Sequence, residues 1–220
     1  MEKTEFIQHW SYFCSLAERL DDTKHYIDHG IQENSSSNVL IHANVYSDIF
    51  KQIIVLAASE FEVMSKALCA CITGKKQKKM NIVEISSCIL SNFPRIIEFE
   101  VSSPFWQNMP ISEWNISSGK VQGLDWWTAY NSIKHGNKSA MKLATLENAI
   151  LSLEALYIIN LYLMYKLFGD MGIAFAYPTV YFKCKYIGYP VNSGEGCLPD
   201  YGNFSVVEKM QNKYPELFSK

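Results

Sequence analysis

Arginine is nearly missing from this 220-residue chain: Arg19 and Arg95 are the only two, so lysine carries almost all of the positive charge. That removes the planar, bidentate clamp most often used to grip a phosphate. Charged residues make up 19% and the net charge is −2, so no global field draws the chain to nucleic acid, and any such contact must come from a local patch. No apolar signal segment opens the chain, so its six cysteines are expected to be free thiols in a reducing, cytoplasmic compartment. The most apolar run, Ala155 to Tyr165, is broken by Asn160 and flanked by Glu154 and Lys166. It is about half the length a bilayer requires, so it is read as a buried helix with no membrane partner. A Gly-rich phosphate loop, a Gly-x-Ser-x-Gly elbow and paired Cys-x-x-Cys are all missing. Cys69-Ala-Cys71 has no second pair at metal-ligand spacing and reads as small buried hydrophobes. No cofactor and no metal are therefore expected.

What the chain does hold is apolar and aromatic. Hydrophobic residues reach 48% and aromatics 14%, enough for a globular core. Helical spacing runs from Glu5 to Leu20. After a polar loop at Glu33–Asn38, read as a set of N-cap residues, a long helix carries Phe50, Ile54, Ala57, Phe61, Met64, Leu68 and Cys71 at alternating steps of four and three, and Gly74 ends it. The lysines at 75, 76, 78 and 79 fit a solvated helix end, with an electrostatic landing patch for nucleic acid as the other reading. A shorter helix is expected from about Asn81 to Ser91, then a short strand or an extended edge through Ile97, Phe99 and Val101. Residues 103–123 are read as an irregular connection pinned by Phe105, Trp106 and Trp114. A helix over Leu124–His135 closes at Gly136, and Ser139 is expected to cap the next, whose stripe runs from Leu143 through Leu146, Ile150, Leu153, Tyr157, Asn160 and Met164 to Leu167. The fold class is thus mainly α: a bundle of four or five helices over residues 1–169. A small β-containing extension, residues 170–220, packs on it, with strands around Ile173–Tyr186, a glycine-rich loop at Asn192–Asn203 and a short helix opened by Ser205 to Glu208.

The segment Leu124–Lys138 carries the chemistry. Helical spacing puts Trp126, Tyr130 and Ile133 on one side and Trp127, Asn131, Lys134, His135 and Lys138 on the other. An imidazole at the last turn can give or take a proton near neutral pH, and lysines beside it suit a phosphate better than a metal. Glu60 shares a helical row with Ile53, Leu56, Val63 and Ala67, where a carboxylate is costly without a partner. Tyr130, Asn131 or His135 would serve as that partner; otherwise Glu60 sits at the core rim and reaches water. Glu62 is expected to pair with Lys66 on the surface. His25 and His29 are read as a surface pair, and His9 and His42 as isolated.

The pattern Trp126-Trp127-x-x-Tyr130-Asn131-x-x-Lys134-His135, followed by the helix that begins near Ala144–Ala149, resembles bacterial members of the HEPN superfamily, as does Ala57–Lys66. The likeness covers roughly residues 36–168. It implies a helical bundle that pairs as a homodimer with two motif helices at a shared cleft. Many such proteins are metal-independent ribonucleases of toxin–antitoxin, abortive-infection or other defence systems. His135 and Asn131 match the family's histidine and polar residue, whereas Tyr130 stands where its arginine would be. Catalysis would fall to His135, Asn131, Lys134 and Tyr130, with ligand contacts from Trp127, Lys138 and Glu60. RNA or a nucleotide is the expected ligand, and an antitoxin or nucleotidyltransferase the expected partner. The other reading, favoured by the missing arginine, is a non-catalytic dimerisation or protein-interaction module.

Overall fold

A computed structural model describes residues 1–34, 37–74, 79–103, 106–136, 139–169, 181–184, 195–200 and 202–205. Within them the protein is mainly α, with five α-helices joined by short antiparallel strand pairs. Local chemistry sets most helix ends. Helix α1, Lys3–Asp22, starts on a capping box between Glu2 and Glu5. Helix α2, Asp48–Thr73, starts where the Ser47 hydroxyl accepts from the Phe50 N–H at 3.1 Å, and stops at Gly74 with φ of 69°. Asn81 caps α3, Ile82–Asn92. Helix α4, Asp125–Lys134, is followed by Gly136 at φ of 67°, and α5 runs Leu146–Phe168.

Helices α2 and α5 set off from one point. Ser47 N–H donates to the Ala144 carbonyl and Leu146 N–H to the Val45 carbonyl, which satisfies amides at both helix starts. The two helices then pack on each other, and α1, α2 and α4 surround α5 so fully that every residue from Ser152 to Met164 is buried. Seen alone, α5 is long and apolar enough to cross a membrane, its 23 residues extending well beyond the Ala155–Tyr165 run. Here that apolar surface is covered by protein. Helix α1 lies antiparallel to α2, because His9 meets Glu60 and Arg19 meets Gln52. It is anchored by Phe6, Phe13, Leu16 and Leu20, each side chain contributing about 1.5–3 kcal/mol through burial. Phe13 stacks on Tyr157 of α5 and on Phe182.

The strands are short and were hard to foresee. The polar 33–38 stretch lies in a hairpin, β1 (Ile31–Asn34) with β2 (Ser37–Leu40), and the helix cap comes later, at Ser47. The expected strand at Ile97–Val101 begins instead as a 3-10 turn, Ile96–Glu98, followed by β3, Val101–Ser102. β3 is the middle strand of three, with β4 (Gln107–Asn108) on one side and β7 (Lys183–Cys184) on the other. The connection before α4 contains a second hairpin, β5 (Asn115–Ser117) with β6 (Lys120–Gln122), and Trp114 is buried with its indole N–H on the Ser86 hydroxyl at 3.0 Å. A third hairpin, β8 (Glu195–Leu198) with β9 (Gly202–Ser205), replaces the expected glycine-rich loop. Tyr181, Phe182 and Leu198 are in the core, and the Asp200 carboxylate accepts from the Arg95 N–H and the Tyr162 hydroxyl. Phe105, Lys75, Lys76, Lys78 and the expected terminal helix lie outside the described residues.

Candidate functional site

Helix α4 is short and wedged between α2 and α5, and this decides which of its residues are free. Trp126, Tyr130 and Ile133 are buried, as their spacing predicts. Trp127 is buried too, only 8% exposed, and does not share the open side with Asn131 and Lys134. Its ring lies 6.1 Å from Phe61 and 5.1 Å from Tyr130, in an aromatic cluster that wraps more of α4 than a two-sided helix would allow. Asn131 is half-buried, while Lys134 and His135 are exposed at the helix end. His135 occupies the C-cap, its backbone N–H returning to the Asn131 carbonyl at 3.1 Å. Lys138 lies outside the described residues.

Tyr130 anchors this end. Its hydroxyl accepts from the Lys134 ammonium at 3.2 Å and sits 3.4 Å from the Ser59 hydroxyl on α2. The hydrogen bond to Tyr130 raises the Lys134 pKa, so the ammonium stays charged. The position that would carry an arginine in the HEPN pattern is therefore a phenol that holds a lysine.

Glu60 does not meet the motif helix. Its partner is His9 on α1, whose Nδ1 contacts the Glu60 carboxylate. Ser59 and Glu60 are consecutive on α2, so they point about 100° apart, one toward α4 and the other toward α1. The carboxylate is 11% exposed and the imidazole 25%. Tyr12, three residues beyond His9 on α1, has its pKa raised by burial and then by the Glu60 charge. Sequence spacing missed His9 because its partner is 51 residues away; the only signal was the carboxylate stranded in an apolar row. Glu62 and Lys66 pair as expected, at 2.6 Å.

Two more ionisable groups are buried apart from this region. Glu154 on α5 is fully enclosed; Asn108 donates to its Oε2 at 3.2 Å, and Oε1 has no partner among the described residues. Burial pushes its carboxyl up to about 8. His29, read from sequence as half of a surface pair, is 2% exposed and sits between Thr23 and Tyr181. Among the described residues no group of three or more His, Cys, Asp or Glu is gathered to hold a metal ion.

Comparison of the chain with protein-family models, with curated proteins and with solved structures finds no match in any of the three.

Proposed function

We propose that the chain is a HEPN-like, homodimeric domain whose open α4 end, Asn131, Lys134 and His135, engages RNA or a nucleotide in a prokaryotic defence or stress system. The observation that carries this reading is the pinned cation. The Tyr130 hydroxyl, fixed between Ser59 and Lys134, holds one ammonium at an α4 end that also exposes the His135 imidazole, on a helix whose Trp126, Trp127, Tyr130 and Ile133 are buried. A lysine offers a point charge without a planar fork. It can still neutralise a phosphate, while an open imidazole can exchange a proton with a ribose hydroxyl. Metal-independent RNA cleavage through His135 is the sharper form. Incubating the purified protein and its His135→Ala variant with total RNA tests it: cleavage by the first and loss in the second is expected, and equal absence of cleavage removes the enzymatic form.

A second reading, a dimerisation or protein-interaction module, is favoured by the burial of Trp127 and Tyr130, which makes much of the motif a packing element. Under it, the protein binds no RNA and His135→Ala changes neither dimer formation nor partner capture.

A further inference from the structure

We propose that His9 and Glu60 form an acid–base dyad that serves a phosphodiester lying along the open face of α2, between α1 and α4. The inference deepens the reading of α4 as the phosphate-engaging element and rests on it.

The face itself is built from α2 residues at helical spacing. Gln52, Leu56, Ser59 and Val63 follow at steps of four, three and four and so share one side. Gln52 and Ser59 are exposed and Val63 is 45% exposed, although the rest of α2 is largely core. On one flank α1 reaches in through Arg19 to Gln52 and through His9 to Glu60. On the other flank α4 reaches in through Tyr130 to Ser59, with Lys134 anchored on Tyr130. An uncovered strip thus runs between a wall bearing an imidazole and a carboxylate and a wall bearing an ammonium and the Tyr130 phenol.

The dyad has the asymmetry of a working pair. An exposed ion pair would leave both groups in water, and a purely structural one would enclose both. Here the carboxylate is the more enclosed group and the imidazole the more open. Glu60 holds Nδ1, which fixes the ring and leaves Nε2 as the nitrogen that can meet a substrate. Carboxylate–imidazole pairing of this kind sets ring orientation and stabilises the imidazolium as it forms. In the reaction, Nε2 takes the proton of a ribose 2′-hydroxyl and the 2′ oxygen forms a bond to phosphorus. The bond from phosphorus to the 5′ oxygen then breaks, and that oxygen takes a proton from His135, which regains one from solvent. His9 later returns its own proton to solvent, leaving a 2′,3′-cyclic phosphate and a 5′-hydroxyl. Lys134 offsets charge on the non-bridging oxygens. His9 is then a catalytic residue and Glu60 a positioning residue.

The test uses the full chain and two readouts. In the first, uridine 3′-monophosphate is titrated while the His9 and His135 ring resonances are followed by NMR. Both are expected to move with one saturation curve. A His135 signal that saturates while His9 stays fixed overturns the dyad and leaves the α4 reading standing. The reverse result overturns the α4 reading and, with it, a ligand that spans both walls. No movement in either overturns both. In the second readout, cleavage of a uridine-containing oligonucleotide is expected to lose about a hundredfold in kcat in His9→Ala. Glu60→Gln is expected to lose about tenfold or more in kcat with KM within about twofold, since the amide keeps the side chain's shape but not its charge. Nucleotide binding at His9 without any cleavage by the unaltered protein overturns the acid–base role. The NMR readout needs no variant, so it decides the matter even if a substitution unfolds the chain.

Discussion

The Tyr181 hydroxyl lies 2.8 Å from Nδ1 of His29, joining the end of the N-terminal helical region to a segment 152 residues later. The protons in this buried chain can be assigned. The Thr23 hydroxyl donates to the Leu20 carbonyl at 2.7 Å, so at 2.9 Å from His29 Nε2 its oxygen must accept. The ring therefore carries its proton on Nε2, and Nδ1 accepts from Tyr181. A second ring proton would leave Tyr181 with no acceptor there. Burial, then the nearby Lys24 charge, lowers His29 from 6.5 to about 4. Between those values the unfolded chain binds more protons than the folded one. The His29 contribution is thus complete above pH 6.5 and falls by roughly 1.4 kcal/mol per pH unit as pH drops toward about 4. The stability difference between the unaltered protein and His29→Gln, read by urea unfolding at several pH values, should carry this slope.

Glu154 acts in the opposite direction. Its carboxyl is raised from 4.5 to about 8 by burial, against a smaller lowering from Asn108, so the folded state holds a proton that the unfolded state releases. Stability should fall by roughly 1.4 kcal/mol per pH unit as pH rises from 4.5 toward about 8. Between about 4.5 and 6.5 the two slopes cancel, and from 6.5 to about 8 the Glu154 loss stands alone. Glu154→Gln, an amide in place of the neutral acid, is expected to stabilise the protein most near pH 8 and to uncover the His29 slope below pH 6.5. An unchanged pH profile in that variant would mean that the carboxylate is solvated.

Two glycines share the left-handed conformation but differ in what surrounds them. A Cβ on Gly123, at φ of 75°, would sit 1.8 Å from the Glu113 carbonyl oxygen, at the base of the β5–β6 hairpin. On Gly136, at φ of 67°, it would meet nothing within 4 Å among the described residues. Gly136→Ala should cost only the left-handed strain, about 1–2 kcal/mol. Gly123→Ala must also move backbone and should cost more than that, shifting the thermal midpoint visibly further.

Some of this was readable in the sequence. The α2 seam was, because one side of that helix meets a core and six of its seven positions, Phe50 to Leu68, are buried. So were the ends at Gly74 and Gly136, which need a residue tolerant of positive φ. Trp127 was misplaced because a wheel drawn for one helix does not know how many neighbours surround it. His9 was passed over because its partner is 51 residues away and a lone histidine carries no local pattern, and His29 was read as half of a surface pair because Tyr181, which helps bury it, is 152 residues away. Strands of two to four residues are too short for alternation to register, so 33–38, flanked by the paired strands Ile31–Asn34 and Ser37–Leu40, read as polar loop.

The start of α5 offers a direct comparison of two candidate caps. Ser139 looked suited to the role, but it leads only into a 3-10 turn, Ala140–Leu143, and its side chain makes no capping bond. Thr145 does the capping, its hydroxyl accepting from the Asn148 N–H at 3.2 Å. Thr145→Ala should cost about 1 kcal/mol in urea unfolding. Ser139→Ala should fall within about 0.5 kcal/mol of the unaltered protein.

Lys134 gives the electrostatic test of the proposed ligand. Its ammonium is exposed yet held by Tyr130, so it offers a charge already in place. If it neutralises one phosphate of single-stranded RNA, Lys134→Gln should weaken binding uniformly across sequences. It should also reduce the slope of log affinity against log salt by about 0.7. Tyr130→Phe keeps the ring in the core but frees the lysine, so it should weaken binding without changing that slope. A Lys134→Gln protein with the same salt slope as the unaltered chain would show that the ammonium touches no phosphate, and the α4 end would then lose its claim on RNA.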